Sequence, residues 1–276
     1  MPSPHDVSAR RRAFRQLHAA GCFVIPNPWD QGSARYLEKL GFKALATTSS
    51  GAAWRHAMAD GQMSVEEVLV HLREMVAATS LPVNADFEGG FAPDAAGVAR
   101  NVRLAVDTGV AAVSIEDSTG DANDPLRDLA MSVERMRAAR AAIDASGGET
   151  LLVGRAENFI VDRPDLADAI RRLQAYAEAG ADCLYAPGIR TREQIAAVVA
   201  AVAPKPVNLL IGFATDLTMR DIEALGVRRV SVGGALARTA WAGFMHSAQL
   251  IATEGRFDGF AAAASGVELN AFFRQG

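Results

Sequence analysis

Acidic side chains recur at the ends of short apolar segments, where they could bind a metal ion. Asp86 and Glu88 follow one such segment, Glu116 and Asp117 follow another, and Asp60 lies in a polar stretch upstream. Carboxylates gathered from several strand ends repel one another unless a cation lies among them. Because no Cys or His clusters with these acids, the oxygen ligands favour Mg²⁺, or Mn²⁺, over zinc.

Each acid also has a structural explanation when it is taken alone. A carboxylate at a strand end often caps a helix or pairs with an arginine. For Asp60, Asp86, Glu88 and Glu116 together that explanation is weaker, because one site would have to neutralise all of them. Asp117 should point to the opposite side of its strand from Glu116, so we expect it to make a structural hydrogen bond.

Other polar residues at segment ends have two interpretations each. Ser50 and Gly51 could form an ordinary turn, or a nest of backbone N–H groups for a carboxylate or carbonyl oxygen. Arg155 could be an ion-pair partner or a bidentate anchor for a substrate carboxylate. The five histidines share no spacing typical of a metal site or a triad.

These residues lie on a regular alternation of short apolar segments and segments of helical period. Most of the apolar segments lack the in-out alternation of a one-faced sheet, which is typical of parallel strands buried on both faces. The predicted strands are 23–26, 44–48, 83–86, 112–116, 151–155, 183–186, 207–210 and 229–232. The predicted helices are 8–20, 64–79, 94–108, 132–146, 165–179, 191–202, 218–225, 243–254 and 259–273.

Eight strand–helix units in about 210 residues predict an α/β fold, a (β/α)₈ TIM barrel with extra C-terminal helices. The alternative is a doubly wound open sheet. It is less favoured, because the first strand is followed by Pro26-Asn27-Pro28-Trp29 instead of a glycine-rich dinucleotide turn. In such a barrel, chemistry is located at the C-terminal ends of the strands, where the acids fall.

Length and composition fit one domain. The 276 residues approach the size of a single barrel, so we expect residues 1–276 to form one domain with a helical extension at about 243–276. The formal charge of −4 argues against a nucleic-acid surface. No apolar stretch approaches the roughly 20 residues of a membrane helix, and no targeting segment is recognisable. The two cysteines lie in apolar runs. We therefore expect a cytoplasmic protein.

Several motifs resemble those of the isocitrate lyase/phosphoenolpyruvate mutase superfamily, in order and over nearly the whole chain. They are IPNPWDQGSARYLEKLGFKALATTSSGAA (25–53), ADGQMSVEEVL (59–69), LPVNADFEGGF (81–91), VSIEDS (113–118), VGRAENF (153–159), YAEAGADCLYAPG (176–188) and LGVRRVSVGGALAR (225–238). The resemblance implies a barrel whose last helix is often exchanged with a neighbouring subunit. It thus implies a homo-oligomer, a dimer or a tetramer.

The resemblance also implies a metal site. Asp86 matches the superfamily's direct Mg²⁺ ligand, and Glu88 matches the second acidic position of the same motif. Asp60 and Glu116 match the acids that hold the water molecules of the metal.

The substrate-binding residues follow from the same resemblance. Ser50, Gly51 and Ala52 match the turn that binds substrate carboxylate or carbonyl oxygens. Arg155 matches a substrate-binding arginine, and Asn208 more loosely matches a polar position on the seventh strand. The implied substrate is a small carboxylate.

The segment after the fourth predicted strand departs from one branch of the superfamily. Lyases of isocitrate or methylisocitrate carry a Lys-Arg-Cys-Gly-His type loop there, whose cysteine supplies a proton. Here 118–126 reads STGDANDPL, without Cys, Lys or His. Phosphonomutases carry an Asn in this loop, which Asn123-Asp124-Pro125-Leu126 resembles, but the lysine of the mutases is missing. We expect Arg155, Glu116 and Asn123 to take part in catalysis, and the loop to close over the site.

These observations predict a Mg²⁺-dependent lyase. It would cleave a C–C bond next to the carbonyl of a small 2-oxo or 2-hydroxy carboxylate, through an enolate. The alternatives are a phosphonomutase of the carboxyphosphonoenolpyruvate or phosphoenolpyruvate mutase type, an oxaloacetate hydrolase or decarboxylase, and a catalytically silent barrel that binds carboxylates.

Overall fold

Parallel strands form the central sheet of the protein. The structure is a computed structural model that describes residues 4–274, with side chains from Asp6 onward. The strands follow one another in the spatial order β1-β8-β7-β6-β5-β4-β3-β2. They are β1 (Phe23–Ile25), β2 (Leu45–Ala46), β3 (Val83–Asp86), β4 (Ala112–Glu116), β5 (Leu151–Arg155), β6 (Cys183–Tyr185), β7 (Val207–Leu210) and β8 (Arg229–Ser231).

Backbone and side-chain hydrogen bonds join the two outer strands, β1 and β2. The Ala46 N–H donates to the Pro26 carbonyl at 3.1 Å. Asn27 donates from Nδ2 to the Thr47 carbonyl, and its Oδ1 accepts from the N–H groups of the two residues after β8, each at 2.9 Å. Asn27 thus ties the ends of β1, β2 and β8 together. The eight parallel strands form the nearly closed (β/α)₈ barrel that the alternation predicted.

Most helices lie between consecutive strands in sequence, and most begin at a side-chain cap. They are α1 (Pro4–Leu17), α2 (Gln31–Lys39), α3 (Ser49–Arg55), α4 (Val65–Ala78), α5 (Ala95–Asp107), α6 (Leu129–Ala145), α7 (Leu166–Glu178), α8 (Arg192–Val202), α9 (Met219–Ala224), α10 (Ala235–Glu254) and α11 (Gly266–Arg274). A capping box of Ser64 and Glu67 starts α4, and its Leu72 and Met75 are buried.

Two helices were not predicted from the sequence. Helix α2 starts at a capping box of Asp30 and Ser33, and α3 starts at Thr48. Both are short, with nine and seven residues, so they show little of the periodicity on which the prediction depended. Helix α3 matters for function, because it places the Thr-Ser-Ser-Gly run at the end of β2.

The core lies mainly between the strands and the surrounding helices, whereas the barrel interior is partly polar. Arg229 is buried there and donates from Nε to Asn208 Oδ1 at 2.8 Å and from Nη1 to Asn84 Oδ1 at 3.1 Å. Amide oxygens thus satisfy a buried guanidinium.

The chain separates into two compact units after Gly234. In the second unit, α10 begins at Ala235, earlier than the predicted 243. The predicted helix 259–273 is instead a 3₁₀ turn (Asp258–Ala262) followed by α11, because the backbone is extended at Ala263. This unit exposes large apolar side chains, including Phe244 at 62% and Val267 at 79%.

No helix within residues 4–274 has both the length and the apolar character needed to cross a membrane.

Candidate active site

The last residues of β3, β4 and β5 meet at the C-terminal end of the barrel, here called the mouth. Glu116 lies level with Arg155 in the β4–β5 ladder, and Asp86 lies level with Ser114, two residues before Glu116 on the same side of β4. Arg155 Nη1 contacts Asp86 Oδ1 at 2.6 Å, and Nη2 contacts Glu116 Oε2 at 3.1 Å. The ladder register therefore brings three predicted site residues into direct contact.

Arg155 contacts a third acid as well. Its Nε donates to Glu157 Oε1 at 2.9 Å, and the guanidinium lies 5.0 Å above the ring of Tyr185. Burial acts to lower the pKa of Arg155, but the carboxylates of Glu116, Glu157 and Asp86 raise it well above its ordinary value. Of the two interpretations of Arg155, the ion pair is confirmed. Substrate anchoring by Arg155 stays a prediction.

The mouth holds more acid than one arginine can neutralise. We call Asp60, Asp86, Glu88, Glu116 and Glu157 the acid cluster. Burial, followed by the charges of Asp86, Glu116 and Asp60, raises the pKa of Glu88 to about 8. Burial also raises the pKa of Glu116, and that of Glu157 to about 8. The pKa of Asp60 is raised by partial burial and by Asp86, against a hydrogen bond from Ser49. The cluster thus carries unbalanced negative charge when it ionises.

Ser49 links two of the predicted metal ligands. Its N–H donates to Asp86 Oδ2 at 3.0 Å, and its side chain hydrogen-bonds Asp60. On the other side, the Asp86 N–H donates to Thr47 Oγ1 at 2.9 Å. Sequence reasoning did not select Ser49 or Thr47, although both belong to the polar run that ends at Gly51.

The segment Ser50 to Ala52 forms the first turn of α3, so it is a helix start and not an isolated turn. The Gly51 N–H points to Thr48 Oγ1 at 3.4 Å, and the same oxygen lies 3.1 Å from Ser50 Oγ. The N-terminal turn of a helix presents backbone N–H groups and positive potential. The Gly51 and Ala52 N–H groups already donate to Thr48, so the oxygen-binding role of this turn stays a prediction.

Glu88 has an unusual backbone conformation. Its φ of +44° lies in the left-handed region, which costs energy for a residue with a Cβ atom. The Glu88 carbonyl accepts the Glu116 N–H at 3.0 Å, which extends the β3–β4 connection past the end of β3. The tight turn after Glu88 continues through Gly90, whose φ is +79°. Strained backbone of this kind is common at functional sites.

Asp117, the first residue after β4, points away from the Glu116 side chain, as predicted, and makes structural hydrogen bonds. Its Oδ1 accepts the Glu157 N–H at 2.8 Å. Its Oδ2 accepts the Tyr176 hydroxyl at 2.5 Å and Arg172 Nη1 at 3.1 Å. Asp117 therefore has its own donors and does not join the acid cluster.

Two predicted residues lie away from the acid cluster. Asn123 is exposed in the β4–α6 loop (residues 117–128), where its N–H donates to Asp121 Oδ1 at 2.9 Å. Asn208 is fully buried, and its Nδ2 donates to Ser231 Oγ at 2.9 Å. Asn208 is paired with Tyr185 in the β6–β7 ladder. Because the strands of a barrel tilt relative to its axis, paired residues on successive strands lie at different heights along that axis. This places Asn208 inside the barrel.

The geometry also limits direct metal binding. Within the part of the chain that the structure describes, no three His, Cys, Asp or Glu side chains come close enough together to hold a metal ion. An ion at the mouth would therefore need ligands from water or substrate.

A family profile described as Phosphoenolpyruvate phosphomutase matches residues 14–252. This match spans most of the chain, including every residue of the acid cluster. The chain belongs to the phosphoenolpyruvate mutase/isocitrate lyase superfamily. The resemblance seen in the sequence motifs is confirmed, and so is the prediction of an enzyme of this superfamily.

Relatives within the superfamily include enzymes of oxaloacetate. Oxaloacetate decarboxylase of Rhodopseudomonas palustris (strain BisB18) is 31% identical over 268 residues, which cover 94% of this chain and 86% of the relative. A solved candidate lyase/mutase from Burkholderia cenocepacia J2315 is 45% identical, with a TM-score of 0.94 over 98% of each chain. Oxaloacetate acetylhydrolase in complex with oxalate is 26% identical, with a TM-score of 0.84, covering 96% of this chain and 94% of that one.

Proposed function

We propose that the chain is a divalent-metal-dependent lyase that cleaves a C–C bond of the carbon next to the carbonyl of a small 2-oxo carboxylate. The observation that carries the proposal is the acid cluster, in which Asp86, Glu116 and Glu157 share one arginine. Burial alone does not explain why so many carboxylates gather there. A dication would balance their charge.

The donor set fits Mg²⁺ better than zinc. All candidate ligands are carboxylate oxygens, which suit Mg²⁺ or Mn²⁺. Mg²⁺ usually keeps several water molecules and takes only one or two protein carboxylates. This agrees with the lack of three convergent ligands among the described side chains. Asp86 would bind the ion directly, with Glu88 beside it, and Asp60 and Glu116 would hold its water molecules. The ion would supply an electron sink for the developing enolate oxygen.

The protein side chains would position the substrate. Arg155 Nε is held by Glu157, which is only 3% exposed, whereas Nη1 and Nη2 face the carboxylates of the mouth. These two nitrogens are the ones that a substrate carboxylate could recruit as a bidentate partner. In the first turn of α3, the Gly51 and Ala52 N–H groups donate to Thr48, so the Ser50 N–H and hydroxyl would be the donors to a second substrate oxygen.

Oxaloacetate is the first substrate to test. Two of the relatives described above carry names that specify oxaloacetate, one a decarboxylase and one an acetylhydrolase. The β4–α6 loop also lacks the cysteine of the isocitrate-type lyases. Both observations favour a small 2-oxo dicarboxylate over a tricarboxylate. Decarboxylation would release pyruvate and CO₂, and hydrolysis would release oxalate and acetate.

The test is turnover of a panel of 2-oxo and 2-hydroxy acids, with Mg²⁺ and with EDTA, each against an enzyme-free blank. Pyruvate and oxalate are quantified separately, so that decarboxylase and hydrolase activities are distinguished. Asp86→Ala should abolish the metal-dependent turnover while the protein stays folded. The matched control is Asp144→Ala, which removes an acid that pairs with Arg140 on α6. Turnover that survives in Asp86→Ala would refute the proposed site.

A phosphonomutase is the second candidate, because the matching family profile is described by that reaction. Phosphorus NMR of phosphonopyruvate or phosphoenolpyruvate incubated with the protein would detect it. Conversion of either compound, together with inactivity on the carboxylate panel, would replace the lyase proposal.

The second unit supports the proposal of a homo-oligomer. Its exposed apolar side chains include Trp241, Phe244, Phe257 and Val267. Apolar surface on this scale usually marks an interface. Light scattering coupled to gel filtration should give a dimer or larger, and Phe244→Ser should shift the mass downward. A monomeric parent protein would contradict this part of the proposal.

A further inference from the structure

A second group of buried polar side chains lies behind the acid cluster, on helix α7. Arg172 and Tyr176 are buried and both contact Asp117 Oδ2, at 3.1 and 2.5 Å. Arg172 Nε also donates to Asp168 Oδ2 at 2.7 Å. None of these contacts is required by the proposed chemistry, so their function needs another explanation.

The first consequence concerns the β4–α6 loop. Its two ends are joined where the Arg127 N–H donates to the Asp117 carbonyl at 2.9 Å. Arg172 Nη1 also donates to the Arg127 carbonyl at 2.9 Å. One guanidinium from α7 therefore holds the Asp117 side chain at one end of the loop and the Arg127 backbone at the other.

The second consequence concerns Arg155. Asp117 Oδ1 accepts the N–H of Glu157, and the Glu157 carboxylate accepts Arg155 Nε. A continuous series of hydrogen bonds thus runs from Tyr176 through Asp117 and Glu157 to Arg155. The same aspartate is fixed by the loop contacts of Arg172.

We propose that Arg172 and Tyr176 are positioning residues that fix Arg155 and the two ends of the β4–α6 loop relative to each other through Asp117. The kinetic part of this proposal rests on the proposed function. The structural part does not depend on the proposed function, because these hydrogen bonds protect backbone amides in the protein without substrate. The alternative is that the two residues only stabilise the packing of α7.

The experiment compares Arg172→Lys and Tyr176→Phe with a matched control. Arg11→Lys is that control, since Arg11 is also buried and donates to the backbone carbonyls of Val106 and Val110, which precede the start of β4, whereas Glu116 and Asp117 lie at its other end. Amide hydrogen exchange is measured for segments 117–127 and 156–160, together with kcat, KM and the melting temperature.

The two variants should differ in a defined way. Arg172→Lys removes the contact to the loop, so exchange in 117–127 should rise about tenfold and kcat should fall about tenfold. Tyr176→Phe leaves the Arg127 contact in place. It should therefore mainly speed exchange in 156–160 and raise KM. Arg11→Lys should lower the melting temperature without either change.

If the exchange rate of 117–127 were the same in all three variants, and that of 156–160 as well, the proposal would be overturned and only a packing role would be left. If the parent protein turns over none of the substrates, the proposed function fails, but the exchange comparison still decides whether the coupling exists. Coupling without activity and activity without coupling are therefore distinguishable results.

Discussion

Glu116 and Asp117 are adjacent in sequence but lie in opposite electrostatic environments. Asp117 accepts a backbone N–H, a tyrosine hydroxyl and an arginine, all of them buried. Glu116 shares Arg155 with Asp86 and Glu157, and a serine hydroxyl is its other side-chain donor in the described contacts. The same strand therefore presents a fully satisfied carboxylate on one side and a poorly compensated one on the other.

The comparison separates two functions that a strand-end carboxylate can have. A buried acid with matched donors holds the fold, and removing it leaves those donors unsatisfied. An acid held among other acids destabilises the isolated protein unless a cation or a ligand compensates its charge, and such acids are common at functional sites. Four predictions test this distinction, starting with the largest expected effect.

The first prediction contrasts the two neighbours directly. Asp117→Ala should lower the free energy of unfolding by about 3–5 kcal/mol, because the Tyr176 hydroxyl and the Glu157 N–H lose their acceptor and Arg172 loses one of its two carboxylate partners. Glu116→Gln removes charge from a crowded site and should change stability by less than about 1 kcal/mol without metal. Urea unfolding in EDTA at neutral pH measures both. Similar losses for the two variants would show that the neighbours are not electrostatically different.

The second prediction is that Mg²⁺ stabilises the protein through the acid cluster. At about a hundredfold excess over its dissociation constant, a ligand that binds only the folded state adds about 2.7 kcal/mol. Asp86→Asn should lose most of this effect in thermal unfolding with and without Mg²⁺. A variant outside the cluster, Asp144→Ala, serves as the reference. An equal response in Asp86→Asn would place the ion elsewhere.

The third prediction concerns pH. The folded pKa of Glu88 is raised to about 8, whereas an unfolded glutamate has a pKa of about 4.3. The folded state therefore binds more protons between these values, so metal-free stability should fall as pH rises through this window. In Glu88→Gln the free energy of unfolding should decline less between pH 5.5 and 8.5, so that the difference from the parent protein reaches about 2 kcal/mol at pH 8.5. An unchanged slope of stability against pH would mean that the folded protein does not raise the pKa of Glu88.

Part of this arrangement could be predicted from the sequence because it depends on simple periodicities. The alternation of strands and helices indicated the barrel, and the two-residue period of a strand placed Glu116 and Asp117 on opposite sides. Glu157 follows the end of β5, so its pairing with Arg155 depends on the course of the chain after the strand. No periodicity predicts that contact.

The position of Asn208 shows a second limit of sequence reasoning. A polar side chain on a barrel strand can lie at the mouth or inside the barrel, and the tilt of the strands determines which. Tyr185, whose ring lies under Arg155, was missed for the same reason, although it pairs level with both Arg155 and Asn208. Ser49 was missed because α3 is too short to show a helical period, so its helix start was not recognised.

The last prediction has the smallest expected effect. It tests whether buried donors alone stabilise the region around Asp117. Asp168 contacts the buried Arg172 at 2.7 Å and Asn158 at 2.8 Å, and it also pairs with Arg171, whose side chain is 67% exposed. Water competes for an exposed guanidinium, so Arg171→Ala should cost less than about 0.5 kcal/mol in urea unfolding. A loss above about 1 kcal/mol would show that the exposed partner contributes as much as a buried one. The region around Asp117 would then be stabilised by exposed ion pairs as well as by buried hydrogen bonds.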